Sequence, residues 1–360
     1  MTPKELSRRD FIRSSAVVAG AVAAGLSGNF VAAATDEEAI RKTRSYNAEM
    51  EYRRLGATGL WVSAVCLGGH WKRVGEVTKE NIPPVSMPRD KALQAVLRKN
   101  RYDVLTRCME VGINYVDACT KDEISVYGPA LKGRREKMYM GFAMWPECPR
   151  KKKWREADQI LKTLEEGLKL AQQEYVDVWR LVASTPGRHS AADEQEFIKA
   201  FETAKKQGKV RFTGVSSHGR KWLKRLAEKY PEHFQVLLFP YTVGSKELPK
   251  DSLFDAVRKN DIGTFGIKPF GSNSLFHGAK TPEEKAKRAR TTIRYILGNP
   301  ALTAPIPGLA CVEEVDNMAA AIKERRKLGL AEAKELQRIG DEMWANLPPE
   351  YEWLKGWEYV

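Results

Sequence analysis

Several ionisable side chains stand at the ends of apolar, strand-like runs, where acid–base chemistry at a pocket would need them. Asp117 closes the run 114–117, Arg180 interrupts 176–182, His218 follows 210–216 and Lys268 follows 262–267. His70 and Trp71 come after Gly68-Gly69, at the end of 62–67. An imidazole changes charge near neutral pH and moves a proton in either direction. A guanidinium inside an apolar strand needs an anion, and Asp117 is the carboxylate expected to meet Arg180. Strand alternation puts Arg180 and Val182 on one face. Plainer readings stay open. Asp117 and Arg180 suit a purely structural ion pair, His218 suits a helix cap or the surface, and Lys268 suits solvent. His70 suits a substrate contact at the pocket rim or packing on Trp71.

The chemical reading requires elements that bring these residues together. From residue 62 onward, strand-like runs alternate with amphipathic helical stretches, the pattern of a parallel sheet with crossover helices. The strand runs are 62–67, 114–117, 138–143, 176–182, 210–216, 236–240, 262–267 and 302–306. Helical stretches are expected at 155–170, 192–207, 220–229, 253–259, 282–297, 312–328 and 331–347. A doubly wound open sheet competes, but Gly68-Gly69 lacks the spaced third glycine of a phosphate turn. The expected fold is an α/β (β/α)8 TIM barrel with an N-terminal β-hairpin over Gly56-Ala57-Thr58-Gly59 and a C-terminal helical extension. Residues 72–100, with Pro83, Pro84 and Pro88, read as a long loop at the active face, either a lid or surface decoration. The tail carries Tyr351, Trp353, Trp357 and Tyr359, expected to pack back on the barrel.

The 360 residues include 42% hydrophobic ones, enough for a full core, and the net charge is +14. Basic runs at 150–155 and 323–327 read as solvated faces, because no nucleic-acid module accompanies them. The five cysteines, Cys66, Cys108, Cys119, Cys148 and Cys311, form no metal spacing and leave an odd thiol in any disulfide scheme. No metal ligand set is expected.

The N-terminus has the three parts of an export signal. Arg8-Arg9-Asp10-Phe11 precedes an apolar run over 16–30, and Ala32-Ala33-Ala34 follows. The paired arginines resemble a twin-arginine signal. The expected organisation is a signal over 1–34, a linker over 35–50, a barrel over 51–328 and a helix with an aromatic tail over 329–360. The expected partners are the twin-arginine export machinery and a small-molecule substrate. The destination is the periplasm or the exterior, with no transmembrane segment after processing.

The string 51–71, EYRRLGATGLWVSAVCLGGHW, resembles the opening of aldo-keto reductases. Further stretches resemble that family in the same order: Gly112–Asp117, Ala130–Lys137, Tyr175–Trp179, Gly208–Ser216, Ile267–Ser272, and Pro305–Gly308 with Asp316-Asn317 downstream. The resemblance implies hydride transfer from a nicotinamide to a carbonyl, with a Tyr as acid, a Lys and an Asp to tune it, and a His to orient the carbonyl. Asp117 matches the Asp. Cys119–Glu123 stands where the Tyr is due, and Tyr127 reaches the site only on a longer loop. The Lys and His positions fall on Ala143 and Val182. The candidate catalytic set is therefore Asp117, Arg180, His218 and Tyr127. The cofactor contacts implied are Gly68, Gly69, Ser216, Ser217, Lys268, Pro269, Gly271, Ser272, Pro307, Gly308, Asp316 and Asn317. His70 and Trp71 are the substrate candidates. Glu313-Glu314 after the proline–glycine pair disfavours a 2′-phosphate, so NAD is preferred to NADP. The leading function is an exported oxidoreductase for a carbonyl or hydroxyl, such as a sugar's. The alternative is a non-catalytic binding protein on the same barrel.

Overall fold

A computed structural model describes residues 36–183, 189–245, 250–324 and 326–352. The export signal, Trp353, Trp357 and Tyr359 lie outside the described residues. The chain divides into two units, Met1–Thr43 and Arg44–Val360. In the first, residues 36–41 are helical, with Arg41 bonded to Glu37 one turn earlier.

The second unit opens with a hairpin, β1 (Tyr52–Arg54) and β2 (Trp61–Ser63), paired antiparallel. Its turn begins at Gly56, φ +50°, where a Cβ would lie 2.2 Å from the Gly263 nitrogen. No larger residue fits so close an approach. Eight strands follow in one sheet: β3 (Leu67–Gly68), β4 (Tyr115–Thr120), β5 (Tyr139–Trp145), β6 (Val176–Val182), β7 (Val210–Ser216), β8 (Val236–Pro240), β9 (Gly263–Ile267) and β10 (Ala304–Ile306). Each pairs in parallel with its sequence neighbour. The ring closes where Cys66 N donates to Pro305 O at 3.0 Å and Gly68 N donates to Pro307 O at 2.8 Å. An open doubly wound sheet is thereby excluded, and the fold is the TIM barrel expected from the alternation.

One expected strand is two elements. The run 62–67 splits into β2 and β3, because Ser63 turns the chain through its Oγ bond to Val65 O. Apart from Ser63 the run is apolar because both pieces are buried. Leu55, Leu60 and Val62 of the hairpin join Tyr115, Val178, Val236, Leu238 and Phe265 inside the barrel and plug it.

Helices cross between the strands: α1 (Val74–Thr78), α2 (Lys91–Glu110), α3 (Lys121–Ala130), α4 (Ala157–Ala171), α5 (Ala191–Lys206), α6 (Arg220–Lys229), α7 (Leu253–Lys259), α8 (Pro282–Leu297), α9 (Val312–Lys323) and α10 (Leu330–Ala345). The segment 72–100 is not one long loop. It holds α1, and α2 begins at Lys91, where the Asp90 carboxylate accepts from Ala92 N and Leu93 N. That cap satisfies two of the helix's orphan donors. Among the described residues, no helix is long and apolar enough to cross a membrane.

The strand starts carry a different cluster. Asp177 on β6 is fully buried and meets Arg44, Arg135 and Arg211. Burial would raise its carboxyl pKa, but the three guanidinium groups and Met140 N hold it well below the ordinary range.

Candidate active site

The strand carboxyl ends bring the expected residues to one mouth. Asp117 on β4 and Arg180 on β6 are both buried and joined twice: Arg180 Nε to Oδ1 at 3.0 Å and Nη2 to Oδ2 at 2.6 Å. Burial works against the Arg180 charge, yet Asp117 outweighs it and raises the Arg180 pKa. Burial in turn pushes the Asp117 carboxyl up against the pull of Arg180. The ion pair expected from strand alternation is present.

His218 follows Ser216-Ser217 at the end of β7. Its pKa drops to about 2, from burial and from the nearby cations Lys268 and Arg150. It is therefore a neutral ring across the working pH range. Ser217 accepts Gly219 N, which shapes the turn into α6. Lys268 ends β9 with φ +56°, a left-handed conformation costly for a side-chain-bearing residue. Burial, with Lys72 and Arg150 close by, lowers its pKa.

Lys72 reaches across the mouth. Its ammonium donates to Ser272 Oγ and to the Tyr351 hydroxyl, both at 2.7 Å. Lys268 stands 5.0 Å above the Tyr351 ring. Burial would raise the Tyr351 pKa, but Lys268, Lys72 and Ser272 outweigh it and the net shift is downward. The part of the aromatic tail that is described thus packs on its own barrel.

The rim after β3 is built differently for its two residues. His70 exposes 41% of its side chain and sets Nδ1 against the fully buried Glu123 carboxylate. Trp71 is buried with Val74, Ile82, Leu97 and Val126, and its Nε1 donates to Pro83 O at 3.1 Å. Trp71 therefore belongs to the packing under the 72–90 segment and not to an exposed rim.

Tyr127 is also outside the mouth cluster. Thr120 caps α3 directly after β4, so no loop remains to carry Tyr127 inward. Its ring is fully buried on α3, and its hydroxyl donates to Gly69 O at 3.3 Å. Arg101, buried on α2, holds Tyr127 and also donates to Leu309 O and Ala310 O, pinning the segment after Gly308. Ala143 and Val182 pack with Cys148 and Cys119 as an apolar patch beside the ion pair. Burial raises the Cys119 pKa.

The glycines near ring closure have a packing reason. A Cβ on Gly68 would meet Pro307 O at 2.8 Å, one on Gly69 would meet Glu123 Oε2 at 2.6 Å, and one on Gly308 would meet His70 O at 2.7 Å. Pro269 is buried at the β9 end, and Gly271 lies against Met343 of α10. Asp316 and Asn317 are not part of the mouth. Asp316 pairs with Arg107 on α2, and Asn317 joins α9 to Arg290 and Ala286 on α8. Glu314 is held by Arg73 and accepts Ala310 N, so its charge is already paired.

Sequence reasoning missed Glu123, Lys72, Arg150 and Tyr351 as mouth residues. For Glu123 a signal existed: Thr120-x-x-Glu123 is a capping box, which fixes the helix start. Tyr351 carried no local signal, since its place depends on α10 crossing to the segment after β9.

The sequence pattern of the Aldo/keto reductase family matches residues 89–292, more than half of the chain. The chain belongs to the aldo/keto reductase family, whose members are oxidoreductases. Residues 5–25 match the TAT (twin-arginine translocation) pathway signal sequence. Among curated relatives, an uncharacterized oxidoreductase of Bacillus subtilis is 23% identical over 80% of this chain and 96% of its own length. The L-galactose dehydrogenase of Arabidopsis thaliana is 22% identical over 78% of this chain and 91% of its own. Among solved structures, an aldo/keto reductase from Klebsiella pneumoniae in complex with NADP and acetate superposes with TM-score 0.61 at 18% identity, covering 81% of this chain and 95% of that one. The holo form of an aldo-keto reductase from Bacillus halodurans gives TM-score 0.60 at 19% identity, covering 81% and 96%. These structures establish the fold.

Proposed function

We propose that this chain is an exported oxidoreductase that uses a nicotinamide dinucleotide on the carbonyl or hydroxyl of a small molecule. The observation that carries the reading is the mouth itself. An ion pair, an imidazole–carboxylate contact and two ammonium groups converge at the strand carboxyl ends of a family barrel. Active sites of such barrels lie at that face. The Klebsiella relative was solved with NADP, and the donor set here suits the same kind of ligand. Lys72, Lys268 and Ser272 are cationic and hydroxyl donors, and the Tyr351 oxygen now occupies the acceptor role that a phosphate oxygen takes. Ser216, Ser217, Pro269, Gly271, Pro307 and Gly308 are the further residues proposed to line the cofactor. The proposed preference for NAD over NADP rests on Glu313, which is exposed at the start of α9.

A bound dinucleotide supplies or accepts the hydride. The chain's own residues bind the substrate, hold its oxygen and handle the proton. Ala143 and Val182 are read as replacing the family's Lys and His, so the proton must travel by another side chain. The name of the Arabidopsis relative points to a sugar, and sugars head the substrate panel. The periplasm or the exterior is the proposed place of work.

Titration of nicotinamide fluorescence with NADH and NADPH is expected to show binding of both, with NADH tighter. Oxidation of the bound cofactor by a panel of aldoses and small aldehydes checks turnover. Binding without turnover would favour the replaced-residue pseudoenzyme. An absence of dinucleotide binding would leave the binding-module reading.

A further inference from the structure

We propose that His70 and Glu123 form an imidazole–carboxylate dyad that passes the reaction's proton to and from the substrate oxygen. The inference rests on the oxidoreductase reading above and names the acid that reading lacks.

The geometry carries it. His70 leaves β3 at the mouth, and its backbone is locked against Gly308, whose Cβ would sit 2.7 Å from His70 O. Its side chain is 41% exposed while Glu123 is fully buried. One Glu123 oxygen accepts Cys119 N at 2.6 Å and Thr120 N at 3.4 Å, and the other holds His70 Nδ1. Capping a helix takes one oxygen; the second is committed to the imidazole. A carboxylate on Nδ1 fixes the tautomer and ring orientation, which assigns Nε2 to the substrate side. When Nε2 also carries a proton, that edge of the ring can donate while Glu123 stays on Nδ1. The other titratable groups facing the pair are Asp117 and Cys119 on β4 and Tyr127 on α3. Asp117 is neutralised by Arg180. Burial pushes Cys119 and Tyr127 up, which keeps both protonated.

In the reductive direction, a reduced nicotinamide dinucleotide supplies the hydride and its two electrons. As the carbonyl π bond opens, the His70 Nε2–H bond breaks and that proton forms the alcohol O–H. Glu123 keeps its charge and its hold on Nδ1. Solvent returns a proton to Nε2 through the exposed edge of the ring.

The test uses the full-length mature protein with NADH and the aldehyde and aldose panel. His70→Asn is expected to lower kcat 10²- to 10⁴-fold, with the NADH dissociation constant unchanged. Glu123→Gln, which keeps the helix cap but removes the charge, is expected to lower kcat about tenfold and to move the limb of the kcat–pH profile; a structural role alone would not move it. His70→Asn with wild-type turnover overturns the proposal. So does a result in which Tyr351→Phe abolishes turnover while His70→Asn does not. If the wild type reduces nothing in the panel, the oxidoreductase reading fails and the dyad is judged alone by nitrogen NMR of neutral His70. A single Nδ1–H tautomer that is lost in Glu123→Leu upholds the imidazole–carboxylate pairing, while the proton-passing role falls with the oxidoreductase reading. A mixed or Nε2–H tautomer overturns the pairing too.

Discussion

Arg180 sits inside β6 with nearly all of its guanidinium out of water, which is tolerable only because Asp117 offers both carboxylate oxygens. Removing one partner leaves the other charged and buried. Arg180→Met is therefore expected to destabilise the fold by about 3–5 kcal/mol, measured by urea unfolding. The double change Asp117→Asn with Arg180→Met removes both charges and is expected to recover most of that loss. Equal destabilisation of the single and double variants would sink this account. Arg180's need for a counter-charge was legible from its place in an apolar strand, and the family resemblance, in which Asp117 lacks its usual Lys partner, named the carboxylate. Glu123 was harder to read. Its burial depends on α3 beginning without a loop, and that was visible only as a capping pattern. Counting along the chain put Tyr127 on the helix after β4, and it entered the candidate set only on a longer loop, which the Thr120 cap of α3 leaves no room for.

At the scale of elements, β6 carries one buried acid and one buried base with opposite assignments. Arg180 lies near its carboxyl end, at the mouth, and Asp177 lies at its start. Asp177 ties Arg44, Arg135 and Arg211, and so joins the segment before the hairpin to the segments before β5 and within β7. Asp177→Asn keeps the shape and leaves three cations without their anion. A loss of roughly 3–5 kcal/mol is expected in chemical denaturation, while the binding of NADH in the folded protein stays as in wild type. Weakened NADH binding in folded protein would show that the strand start and the mouth are coupled. Element ends were read well at 220–229, 253–259 and 282–297, which coincide with α6, α7 and α8; Ser252 and Thr281 cap the last two, while α6 starts at Gly219 without a side-chain cap. The failures have separate causes. The run 62–67 is buried on both sides of a turn, so periodicity cannot reveal the break. Residues 91–100 begin a helix whose Leu93, Val96 and Leu97 continue at helical spacing into Val104, Leu105 and Cys108, a signal that the prolines just before the Asp90 cap overshadowed.

For the whole molecule, acid is the informative stress, because two imidazoles are folded into places that exclude their charged form. Burial, with Lys268 and Arg150 nearby, takes His218 down to about 2, and burial, with Arg155 nearby, takes His189 down to about 4. An unfolded chain binds a proton at each of these residues below about pH 6.5. The folded chain does not, so between those limits the unfolded state holds more protons and stability falls as pH falls. Both rings contribute from about 6.5 to about 4, and below that His218 continues alone. The linkage limit is ~1.4 kcal/mol per pH unit for each ring. The depressed carboxyl of Asp177 has the opposite protonation chemistry but the same direction of effect, and it enters only below about pH 4, where the unfolded carboxylate takes its proton. Above about pH 4 the imidazoles therefore act without Asp177, and below it His218 and Asp177 act together. Urea midpoints taken between pH 7.5 and pH 4.5 are expected to fall steadily for the wild type and much less for the pair His218→Asn with His189→Gln. Parallel loss in both proteins across that window would mean that neither ring is folded in its neutral form.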